Sequence, residues 1–82
     1  MEEVVYWSQW KGVNGEYQIG VIGVDRASYR VEILKWLSHW KWQETLYEGN
    51  NFQQAMNTAY ECEYKYFQLN NYSQVDGSAF KG

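Results

Sequence analysis

Cysteine and histidine occur once each in this sequence of 82 residues. One thiol excludes an internal disulfide framework, and one imidazole leaves few ways to hold a metal ion; no metal or other cofactor is expected. No run of about 18 apolar residues is present, so no segment reads as a membrane-spanning helix. Neither sign of charge dominates. Seven basic and ten acidic side chains give a formal net charge of −3. That balance supplies no general attraction to nucleic acid and is too weakly acidic to imitate one. Proline is absent, and no internal repeat or low-complexity tract is visible. The opening Met1-Glu2-Glu3 is acidic where a secretory signal is basic, so a cytoplasmic location is expected. The length suits one domain with a small core, at the low end of about 5–15 kcal/mol of stability.

What is plentiful is aromatic. Five Trp, eight Tyr and three Phe make 20% of the chain. Each covers about 150–250 Å² when buried. So many in so short a chain require a dense core or a partner. The charged fraction of 21% and the apolar patterning are those of a folded chain, not a disordered one.

The first half reads as strands. Residues 4–10, Val4-Val5-Tyr6-Trp7-Ser8-Gln9-Trp10, are rich in strand formers. Asn14-Gly15 then signals a hairpin, because both residues tolerate positive φ. Residues 16–24 form a second strand, with Tyr17, Ile19 and Val21 on one face and Gln18, Gly20 and Ile22 on the other. Asp25-Arg26-Ala27-Ser28 is a turn. Residues 29–36 alternate Tyr29, Val31 and Ile33 with Arg30 and Glu32, a period of two. A fourth strand covers 40–47, with Trp40 and Trp42 on one face. A helix over 26–40, capped by Asp25, competes for the same residues. It would gather Tyr29, Ile33, Trp36, Leu37 and Trp40 within about 100° of arc. It would also leave Val31 and Trp42 on the wrong side, so strands are the better reading.

A helix follows over residues 51–69. Asn51 is its N-cap, and Gln54 completes a capping box. Phe52, Ala55, Met56, Ala59, Cys62, Tyr66 and Leu69 recur at helical spacing on one face. The predicted fold is α+β: one domain over 1–70, a four-stranded antiparallel sheet with one C-terminal helix packed on one face. The tail, 71–82, reads as loose or as an edge addition.

Residues capable of catalysis are few. His39 could act as a general base, but it falls in a turn and reads as an exposed turn residue. Cys62 sits on the apolar helix face between Glu61 and Glu63, which is the setting of a small core residue rather than a reactive thiolate. Glycines 12, 15, 20 and 23 match neither a phosphate loop nor a dinucleotide fingerprint. Asn71-Tyr72-Ser73 matches a glycosylation acceptor by chance, with no secretory signal before it. Glu63 stands out because it falls inside the apolar arc. A carboxylate there must be paired, reach the rim or meet a partner's cation; Arg30, Lys41 and Lys65 are candidate partners.

The aromatics carry the functional expectation. Ile22, Leu34 and Trp36, with Tyr6 and Trp10, are expected on the sheet face that the helix leaves bare. Tyr60, Tyr64 and Phe67 form a second stripe on the helix. Large exposed apolar patches mark interfaces, and aromatics are enriched in them. Trp10, Trp36, Tyr60, Tyr64 and Phe67 are therefore the expected partner-binding residues. Trp40 and Trp42 could instead stack single-stranded nucleic acid or a glycan.

The blocks Glu16-Tyr17-Gln18-Ile19-Gly20-Val21, Tyr29-Arg30-Val31-Glu32-Ile33, Trp40-Lys41-Trp42-Gln43-Glu44 and Gln54-Ala55-Met56-Asn57-Thr58-Ala59-Tyr60-Glu61 occur in that order. Together they resemble small uncharacterised phage and prophage proteins, which show Trp-bearing strands followed by a helix with alanines four apart. The resemblance covers residues 4–69 and carries over no catalytic or ligand residue. It implies an accessory protein that binds and blocks a host protein, such as a defence enzyme. The expected function is thus a non-enzymatic protein-binding module with a protein partner, self-associating as a homodimer.

Overall fold

Apolar residues recurring with a period of two produce four long strands. They are β1 (Glu3–Gly12), β2 (Gly15–Asp25), β3 (Ser28–Trp36) and β4 (Trp40–Gly49), in a computed structural model that describes residues 2–75 and 79–80. They pair antiparallel in the order β4-β3-β2-β1. Residues 26–40 are thus strand and turn, not helix. The alternation decides it: Val31 and Ile33 are buried, and Arg30 and Glu32 point to the other face.

The turns are short. Gly12 pairs with Gly15, so the β1–β2 loop is Val13-Asn14, one residue earlier than the Asn14-Gly15 signal suggests. Only Gly15 of that pair takes positive φ, at 124°. β2 and β3 join through Arg26 and Ala27. Leu37, Ser38 and His39 link β3 to β4, where the Leu37 amide donates to the His39 carbonyl at 3.1 Å.

After β4 the chain enters α1 (Phe52–Cys62). The Asn51 side chain accepts from the Gln54 amide at 2.9 Å, as an N-cap should. The return half of the capping box runs through Tyr47. Its hydroxyl accepts from the Asn51 amide at 3.2 Å and lies 3.5 Å from Gln54 Oε1. Gly49 makes room for this, since a Cβ there would collide with the Tyr47 hydroxyl. Ala55, Met56, Ala59 and Cys62 are buried on the sheet side, in one core with Ile19, Val21, Val31 and Ile33.

The last part of the helix changes pitch. A π-helical turn spans Glu63–Phe67, and a 3-10 turn spans Gln68–Asn70. The Gln68 amide donates to the Glu63 carbonyl, five residues back. The wider turn shifts the buried stripe by about one residue. Glu63 and Phe67 are buried, while Tyr66 and Leu69, which a continued α-period would bury, are 61% and 60% exposed. Asn71 ends the helix in the left-handed region at φ 63°, a conformation Asn tolerates.

The sheet has a fifth strand position, where the sequence pattern predicts four. It lies beside β1 and is filled in two pieces, β5 (Ser73–Gln74) and β6 (Ala79–Phe80). β5 pairs with Trp10 and Lys11, and β6 with Tyr6 and Trp7. In these two places the tail is an edge addition; 76–78, 81 and 82 lie outside the described residues. Tyr72 anchors its start, with its ring over Gly12 and against Phe67 and Tyr17.

The small residues of α1 set its distance from the sheet. Ala59→Leu adds a side chain at a fully buried position. It should lower unfolding free energy by about 1–3 kcal/mol, read as an earlier urea midpoint with an unchanged m-value.

Candidate functional site

The helix covers one face of the sheet. Register assigns the other. Val4, Trp7, Gln9 and Lys11 of β1 share it with Glu16, Gln18, Gly20 and Ile22 of β2. Arg30, Glu32, Leu34 and Trp36 of β3 continue it, and Trp40, Trp42, Thr45 and Glu48 of β4 complete it. Among the described residues no helix packs on this side. Val4, Trp36 and Trp42 are exposed, and Trp7, Ile22, Leu34 and Trp40 are half-buried.

Two features shape this outer face. Gly20, in the middle strand, has no side chain, and a hollow of about 240 Å³ opens above it. Val4, Trp7, Gln18, Ile22, Glu32 and Leu34 form its walls. Toward the β3–β4 turn stands a tryptophan ridge. The Trp36 and Trp40 rings meet edge to face with centroids 5.3 Å apart. Trp42 lies beside them across from Leu34, its indole N–H donating to Thr45 Oγ1 at 3.1 Å. At the opposite end Arg30 is tied down. It pairs with Glu2 at 2.9 Å and with Glu32 at 3.1 Å.

A second constellation lies under the helix. Tyr6, Ser8 and Trp10 project from β1 on the covered face, and Glu63 meets them from the π turn. The Tyr6 hydroxyl donates to Glu63 Oε2 at 2.6 Å. Ser8 Oγ donates to the same oxygen, and the Trp10 indole N–H donates to Ser8 Oγ at 2.9 Å. Glu63 is 7% exposed. Neutral hydroxyls, not Arg30, Lys41 or Lys65, answer its burial; Lys65 instead pairs with Glu61. Burial, aided by the hydrogen bond to Glu63, holds the Tyr6 phenol pKa well above its ordinary value. The hollows over Gly20 and beside Arg30, Cys62 and Phe67 are lined by other residues. The geometry is that of a satisfied polar seam within the core.

The sequence-predicted contact residues separate. Trp10 and Phe67 are core residues, 3% and 4% exposed, with their rings stacked 5.7 Å apart. The π turn is what carries Phe67 inward. Trp36 is exposed on the outer face, where it joins Trp40 and Trp42. Tyr60 and Tyr64 are exposed on the helix, on the other side of the sheet. Tyr6 is also on the helix side, edge to face with Tyr60 at 5.5 Å. A signal for this was present. Any two-residue hairpin loop pairs even with odd positions here, which sets Tyr6, Ser8 and Trp10 beside Tyr17, Ile19 and Val21. The same parity puts Trp7 outside, and a bulge between Val4 and Tyr6 shifts the register so that Val4 joins it opposite Ile22; both were missed by the sequence pattern.

His39 is exposed in its turn, with Nδ1 3.3 Å from Ser38 Oγ. Cys62 is buried, and burial, with Glu63 and Glu44 nearby, pushes its thiol up to about 12. Among the described residues no three His, Cys, Asp or Glu side chains gather as a metal site, and no helix is long and apolar enough to cross a membrane. No protein-family model matches the chain, and no curated protein or solved structure is significantly similar to it.

The seam and the thiol give two expectations. Glu63→Leu strips two hydroxyls of their shared acceptor and should cost more than Glu63→Gln, which keeps one; the gap should be about 1–3 kcal/mol by urea denaturation. Both raised groups favour the protonated form in the folded state. Their contribution is intact below the unfolded pKa, near 9 for Cys62, and is lost as pH rises toward about 12. Unfolding free energy should therefore fall steadily above pH 9, less steeply in Cys62→Ala.

Proposed function

We propose that the chain is a non-enzymatic protein-binding module that docks through its outer sheet face and acts by occlusion. The observation that carries this reading is the bare face itself. Taking about 250 Å² for an indole side chain, the 44% exposure of Trp36 and 55% of Trp42 leave on the order of 250 Å² of ring in water. With Val4, Trp7, Ile22, Leu34 and Trp40 the patch reaches the about 300–600 Å² of the largest apolar patches on monomers, which are often functional. The hollow of about 240 Å³ is smaller than the about 300–1,000 Å³ of a small-molecule site. It suits one bulky side chain at the centre of an interface. In a phage-type setting the partner would be a host protein, displaced from its own ligand.

Stacking of nucleic acid or glycan on Trp40 and Trp42 is less well supported. Trp36 and Trp40 meet edge to face, so they do not form a flat platform. Lys35 and Lys41 face the helix side, and the Lys35 ammonium sits over the Tyr17 ring. An enzymatic reading is also less well supported: among the described residues His39 and Ser38 meet in an exposed turn outside the hollow, and Cys62 is buried.

Titration with single-stranded oligonucleotides and with soluble glycans should leave tryptophan fluorescence unchanged. A saturable quench that weakens steeply with salt would replace the protein-binding reading by the nucleic-acid one. His39→Ala should leave the biological effect within a few-fold; a hundredfold loss in a folded variant, about 2.7 kcal/mol, would bring back the enzyme.

A further inference from the structure

We infer that the occupant of the outer face is a second copy of this chain, packed sheet on sheet about a two-fold axis lying between the two faces. The inference rests on the protein-binding reading above and names the partner. Its first support is shape. One face carries both a ridge, Trp36-Trp40-Trp42, and a hollow, the space over Gly20. A two-fold axis midway between a ridge and a hollow places each ridge in the other copy's hollow. That reciprocity is what an isologous interface requires. Trp42 is the most exposed indole of the ridge, and Trp7 and Leu34 are apolar walls to receive it.

The second support is area. A standard interface covers about 800 Å² per partner. Four long strands present a face of that order, and about half of it is the apolar patch already described. Sheets pack face to face at about 10 Å through interdigitating side chains. Trp36, Trp42 and Val4 stand out from this face far enough to interdigitate. The third support is charge. The face carries both signs, Lys11 and Arg30 with Glu16, Glu32 and Glu48, and Glu32, the charged wall of the hollow, is already paired with Arg30. Arg30 is already neutralised by Glu2 and Glu32, and it enters the rim without needing a partner's anion. The helix stripe is a poorer candidate. Phe67 is withdrawn into the core, leaving Tyr60 and Tyr64, and Tyr60 already packs on Tyr6.

Gly20 offers a clean test. A Cβ built there meets Ile22 Cδ1 at 3.9 Å, which is ordinary contact, so Gly20→Val fills the hollow without straining the strand. Trp42→Ala removes the ridge instead. Sedimentation equilibrium from one to a hundred micromolar should show a dimer of the wild-type chain. Each variant should weaken it at least tenfold, while circular dichroism stays native and Tyr64→Ala has no effect. A dimer insensitive to both outer-face variants, or one broken by Tyr64→Ala, would overturn the inference. A monomer throughout would also overturn it, and acrylamide quenching then separates two failures. Quenchable tryptophan leaves the outer face open for a different protein; protected tryptophan removes the protein-binding reading as well.

Discussion

A sheet has two faces, and this chain brings one helix to it. Everything unusual about the molecule follows from that shortage. The four-stranded meander buries Ile19, Val21, Val31 and Ile33 completely or nearly so beneath α1. The helix can approach closely because Ala55, Ala59 and Cys62 are small. Among the described residues nothing comparable covers Val4, Trp7, Ile22, Leu34, Trp36, Trp40 and Trp42 on the reverse side. The hydrophobic effect does not distinguish the two faces, so leaving the second in water carries a cost in solubility.

The covered face is itself not purely apolar. Tyr6, Ser8 and Trp10 alternate along β1 and form a polar line within the core. Glu63, the first residue beyond α1, supplies the acceptor that line needs. A continued α-helix would have turned Tyr66 and Leu69 toward the sheet and left Phe67 outside. The change of pitch in the π turn seats Phe67 between Trp10, Tyr17 and Tyr72, which in turn positions the start of β5 at the β1 edge. Buried polar networks of this kind specify one packing, because any slip leaves a hydroxyl without a partner.

Most of the fold was legible in the sequence because period-two alternation is a direct consequence of strand geometry. Tyr29-Arg30-Val31-Glu32-Ile33 read as a strand on that ground alone, and Asn51 read as a cap from its spacing to Gln54. The β5 and β6 pieces were not legible, since two-residue segments have no period. The π turn was not legible either, because a helical wheel assumes a constant angle per residue. On the candidate site, Ile22, Leu34 and Trp36 were assigned to the bare face from alternation within their own strands. Tyr6 and Trp10 were misassigned because the face of β1 depends on pairing parity across the hairpin, not on its own pattern. Phe67 was misassigned through the π turn.

The central proposal is that a second copy of the chain covers the outer face. Hydroxyl-radical footprinting, read residue by residue at low and high protein concentration, tests it most directly. The account predicts that Trp36 and Trp42 are oxidised readily in the dilute chain and become protected together as concentration rises, while the exposed helix residues Tyr64 and Tyr66 react equally throughout. Equal oxidation of Trp36 and Trp42 at every concentration, with protection shifting instead to Tyr64 and Tyr66, would contradict it.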